Sequence, residues 1–96
     1  MLGAVGEYEE WVRRELPAED ARLAVAEFLI ATAERPWQAP SSPIEQLCER
    51  PVFEVREAVL NAVDGLIAIW YRHTYATGLV DVLGVMGPNR ATEDLT

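Results

Sequence analysis

The sequence predicts an all-α fold: a small helical bundle of four to five helices with one long central helix, completed by dimerisation. Three observations carry that expectation. Apolar residues recur at helical spacing over residues 8–16 and 21–32, proline and capping signals fall where helices would begin, and residues 52–77 carry an apolar face too long for the other elements to cover. Ninety-six residues, half of them apolar, suit one domain with a real core, expected over residues 1–86 with 87–96 as a flexible polar tail.

In the first element, EYEEWVRREL, Tyr8, Trp11, Val12 and Leu16 share a face, acids occupy the first turn, and Arg13 and Arg14 lie near the end, as the helix dipole favours. Pro17 closes it and opens the next helix, because proline at a first helical position gives up only an amide that had no partner. Ala21, Val25, Phe28, Leu29 and Thr32 then form a stripe, broadened by Leu23 and Ile30, until Pro36 stops the helix near Arg35. The segment PWQAPSSP is a stiff loop, and its Trp37 is either a plug on the core or an anchor for a partner.

Ser42 with Glu45 reads as a capping box, with Pro43 at the first helical position and Ile44, Leu47 and Cys48 facing inward until Pro51 interrupts. The dominant helix is expected from about Val52 to Thr77, with Val52, Val55, Val59, Ala62, Val63, Leu66, Trp70 and His73 on one face and Glu54, Glu57, Asn61 and Asp64 on another. Unbroken, it would span about 39 Å. From Leu66 to Tyr71 it is apolar nearly all round, the pattern of a bundle-centre or dimer-core helix. The segment LVDVLGVM fits a short helix or a strand, and a lone strand would lack a partner, so helix is the expectation.

No membrane span is expected: the uncharged run between Asp64 and Arg72 is only GLIAIWY, far short of the about 20 apolar residues a crossing needs. The N-terminus has acids at Glu7, Glu9 and Glu10 and no basic segment, so it does not read as a signal peptide. Cys48 is the single cysteine, which fits a reducing compartment and a cytoplasmic location. Sixteen acids face eight arginines and no lysine, giving a net charge of −8. Such a surface repels phosphate backbones and argues against direct nucleic-acid binding. Arginine without lysine in an Ala- and Val-rich chain fits a GC-rich bacterial or phage genome.

Catalytic constellations are scarce. One histidine and one cysteine cannot supply the ligands of a zinc site, and neither the phosphate-loop nor the dinucleotide glycine pattern occurs. Glu54, Glu57 and Asp64 would line one helical face able to hold Mg²⁺ through oxygen ligands, with Glu7 and Glu10 as the spaced acids for a second pair; Glu45 and Glu49 read as surface acids. No catalytic, cofactor-binding or metal residue is assigned.

The function expected is that of a non-enzymatic acidic interaction protein, homodimeric, that binds and regulates or inhibits another protein in the manner of an immunity protein, an antitoxin or a phage-encoded inhibitor. A small Mg-dependent all-α hydrolase and a structural subunit of a larger assembly are the alternatives. The candidate interface comprises Trp37, Leu66, Ile67, Trp70, Tyr71 and His73.

Overall fold

Two of the expected helices form and the long one does not. The structure, a computed structural model, describes residues 1–36, 41–43, 52–63 and 65–89. Helix α1 spans Gly6–Glu15 and helix α2 spans Glu19–Glu34. Between them Leu16 takes a left-handed conformation (φ 46°), its amide closing on the Val12 carbonyl, and Pro17 follows. A left-handed residue followed by proline ends one helix and lets a second start at a new angle. The buried residues of α2 are Ala21, Val25, Phe28, Leu29 and Thr32, the stripe that the 3.6-residue period marks in the sequence.

The all-α expectation fails after residue 41. Strands β1 (Ser42–Pro43), β2 (Phe53–Ala62), β3 (Gly65–Thr74) and β4 (Leu79–Asn89) form one antiparallel sheet in the order β1-β2-β3-β4, so the protein is α+β. The expected helix over 52–77 is instead the hairpin β2-β3, folded back through a two-residue connection between the paired Ala62 and Gly65. Gly65, with φ 138° where β3 begins, is the residue that a helix would have to tolerate in its interior at a cost. The expected short helix over 79–86 is the first part of β4, and its pairing partner is β3 of the same chain rather than a second copy. Ser42 and Pro43, expected to start a helix, pair with Glu57 and Arg56 of β2. Trp37, Cys48, Glu45, Glu49 and Asp64 lie outside the described residues.

β3 and β4 are joined by four residues, and Gly78 at the end of that turn has φ 69°, a conformation in which a Cβ is strained. Both helices pack on one face of the sheet. The core between the layers joins Trp11, Val25, Phe28 and Leu29 to Ala58, Ile67, Ile69, Tyr71, Val80, Val82 and Val85. The outer edge of β4 is closed by the chain's own beginning: residues 1–4 run beside it, with Gly3 N–H donating to the Val80 carbonyl (2.7 Å) and Val82 N–H to the Ala4 carbonyl (3.0 Å). Farther along, Trp11 Nε1 donates to the Gly87 carbonyl (2.6 Å) and an Arg14 guanidinium nitrogen to the Val85 carbonyl (2.9 Å). These donors occupy edge carbonyls that would otherwise invite another strand.

Among the described residues no helix is long and apolar enough to cross a membrane.

Candidate functional site

Side chains alternate across a strand, so the sheet sorts its residues onto two faces. From β3, Ile67, Ile69, Tyr71 and His73 point under the helices and are buried. Leu66, Ala68, Trp70, Arg72 and Thr74 point the other way, onto a face that no described element covers. The register brings Val59 beside Ala68, Glu57 beside Trp70 and Val55 beside Arg72 from β2, and Met86 and Gly84 beside Ala68 and Trp70 from β4. Solvated faces of antiparallel sheets are ordinarily polar. This one exposes Phe53 (42%), Val59 (54%), Leu66 (40%) and Met86 (60%).

Trp70 is at the centre of that open face. Its Nε1 donates to Glu57 Oε2 (2.7 Å) on one side, and on the other its ring reaches Gly84, where a Cβ would sit 3.5 Å from the indole edge. The small residue lets the ring lie across the neighbouring strand. A register shift in β4 falls at the same place, between the partners of Trp70 and Tyr71, with Leu83 as the extra residue.

Among the described residues the charged side chains of the open face are few and engaged. Arg72 donates to Asp81 Oδ2 (3.0 Å) and its guanidinium carbon lies 5.7 Å from the centre of the Phe53 ring. Its Nε is buried and has no hydrogen-bond partner among the described residues. Asp81 also accepts the Ala4 N–H at Oδ1 (2.8 Å), so it ties the N-terminal segment to β3 through β4. That backbone hydrogen bond and the Arg72 guanidinium hold the Asp81 carboxyl below its ordinary value of 3.8, against the opposing effect of burial. A carboxyl whose pKa is depressed by folding contributes stability that is present above its unfolded pKa and lost as pH falls through the folded one. Asp81→Asn is therefore expected to lower the urea midpoint at neutral pH, and the gap from wild type is expected to close as pH falls below about 3.8. Equal midpoints at neutral pH would show that Asp81 holds nothing together. Gly3 belongs to the same junction, because a Cβ there would collide with the Asp81 carboxylate.

On the covered face a polar cluster closes one end of the core. Glu54 accepts from Arg56 Nη1 (3.3 Å) and the Tyr75 hydroxyl (3.3 Å), and its Oε1 lies 3.5 Å from His73 Nδ1. Arg56 Nε donates to Ser41 Oγ (2.7 Å), which is 2.6 Å from the buried Tyr71 hydroxyl. Each polar group in it has a partner, the condition under which buried polar groups add rigidity instead of cost. Glu54 serves there as a structural acceptor.

The structure divides the predicted interface set. Leu66 and Trp70 are on the open face, Ile67, Tyr71 and His73 are in the chain's own core, and Trp37 lies outside the described residues. The predicted carboxylate face disperses: Glu54 pairs with His73 on the covered side and Glu57 with Trp70 on the open side. Glu7 and Glu10 are exposed on α1, where Glu10 pairs with Arg13 (2.7 Å). Among the described residues no three His, Cys, Asp or Glu side chains come together as a metal site. A groove of about 410 Å³ beside the helices, lined by Tyr8, Glu9, Val12, Arg13 and Arg22, is shallow and open.

Phe53, Met86, Asp81 and Ser41 have no place in the expectations from sequence, and Val59 has one only in the stripe of the expected helix. The alternation of Ile67, Ile69, Tyr71 and His73 with their neighbours was the available signal, hidden because both faces are apolar. Comparison with protein-family models, with curated proteins and with solved structures finds no match for this chain.

Proposed function

We propose that this chain is a non-enzymatic, acidic interaction protein that binds and regulates a basic protein target. The partition of its surface carries the reading. Half of the sixteen acids, Glu7, Glu9, Glu10, Glu15, Glu19, Asp20, Glu27 and Glu34, are exposed on the two helices against three arginines, while the opposite face of the sheet is apolar. A one-signed layer steers an oppositely charged partner and raises its rate of encounter. The apolar face lies on the other side of the sheet, away from that acidic layer. The single cysteine supports placement in a reducing compartment such as the cytoplasm.

The test compares capture by the wild-type chain with capture by a variant carrying Glu19→Gln, Glu27→Gln and Glu34→Gln, all exposed on α2. The expected partner is basic, elutes more readily as salt rises, and is lost by the variant although its circular dichroism is unchanged. Capture that ignores both salt and the three substitutions would defeat the assignment.

A further inference from the structure

We propose that the open face of the sheet is covered by a second copy of this chain, the two sheets stacking face to face with Trp70 near the centre of the contact. The inference rests on the interaction reading, in which the acidic helices face the target, and it assigns an occupant to the opposite face, which no described element covers. Charge selects that occupant. Among the described residues, the side chains that bring charge to this face are Glu57, which holds the Trp70 indole, and the Arg72–Asp81 pair, so a basic partner finds no free acid among them to neutralise. Its cations, buried against Val59, Ala68 and Met86, would lose their hydration with no opposite charge to replace it. The surface that matches an apolar, nearly neutral face is another such face, and a two-fold axis supplies one from the same sequence. Homodimer contacts are in general the more apolar class.

The same charge pattern disfavours other ways for two copies to meet. Each chain carries −8, and contact through the helices would bring exposed acids of both copies together. Sheets stacked about 10 Å apart leave the two helical layers on opposite outer sides. The two acidic layers are then separated by both sheets, well beyond the screening length of about 8 Å at physiological salt. Trp70 supplies a broad ring already fixed by Glu57 and Gly84, so little side-chain freedom is lost on contact.

Sedimentation of the purified full chain across a concentration series tests the proposal. The wild type is expected at twice the chain mass. Val59→Asp and Met86→Asp, on the open face, are expected to give folded monomers, whereas Ile30→Asp, comparably exposed (55%) on the helical side, is expected to stay dimeric. If the open-face variants fail to fold, the wild-type chain still decides: peroxide oxidation of Met86, read by peptide mass, is expected to slow as concentration rises into the dimeric range. A wild-type monomer that still captures a basic target through α2 would overturn the second copy and leave the interaction reading standing. A monomer that captures nothing would overturn both. A dimer broken by Ile30→Asp and indifferent to Val59→Asp and Met86→Asp would place the contact on the helices and refute the stacking of sheets.

Discussion

Ile67→Asp is expected to abolish the folded state, and Leu66→Asp, one residue earlier, to leave the chain folded. Ile67 is fully buried beneath the helices, whereas Leu66 is 40% exposed on the opposite side of the same strand. Removing a buried isoleucine side chain costs about 2–5 kcal/mol in lost burial and cavity, before the carboxylate is counted. An unpaired carboxylate in that position adds several kcal/mol more. The total reaches the roughly 5–14 kcal/mol that a domain of this length has available. Leu66→Asp, at a surface position, is expected to cost below about 1 kcal/mol. Urea titrations followed by circular dichroism would measure both. The contrast discriminates strand from helix, because neighbouring side chains diverge by about 180° on a strand and about 100° on a helix. Two folded variants, or two unfolded ones, would contradict the β3 assignment.

Trp11→Ala is expected to be the most damaging substitution in either helix. Trp11 is fully buried in the core cluster that includes Val85, and it joins α1 to the far end of β4 by donating Nε1–H to the Gly87 carbonyl. Truncating a buried tryptophan costs about 3–5 kcal/mol. Trp11→Phe separates volume from hydrogen bonding, since it keeps much of the ring and loses the donor; about 1–3 kcal/mol is expected for leaving the carbonyl without its partner. Denaturant midpoints in the order wild type, Phe, Ala are the expected series. If Phe and Ala were equally mild, α1 would not be anchored through this residue.

The helices were legible in the sequence and the sheet was not, for a physical reason visible in β3. Periodicity works when one side of an element is buried and the other is wet, as in α2, where Val25, Phe28, Leu29 and Thr32 face the core and Glu27 and Glu34 face water. Strand β3 breaks that condition. Ile67 and Ile69 serve the core while Leu66, Ala68 and Trp70 make the open face, so the period-two signal is flattened into a continuous apolar run. The stripe assigned to one helical face draws on both sides of the sheet: Val59, Leu66 and Trp70 are on the open side, Ala62 and His73 on the covered side. The two-sided apolarity that hides the strand period is also what leaves the open face apolar. Of the six candidate interface residues, Leu66 and Trp70 stand on that face. Val59 and Met86, in contrast, reach it only through pairings with Ala68 that no local pattern discloses.

The seam between residues 1–4 and β4 bears on how the chain reaches its native state. Met1 and Gly3 are hydrogen-bonded to Val80, and α1 is anchored at Val85 and Gly87, so residues 1–14 are completed by partners that follow them far along the chain. Contacts this distant along the chain are slow to form, because the loop-closure entropy is lost before the contact rewards it. On the ribosome α1 and α2 therefore emerge with their apolar stripes and no sheet to lie on. A nascent chain stalled before Val80 carries Trp11, Phe28 and Leu29 without the β4 residues of their core, the kind of surface that holding chaperones bind.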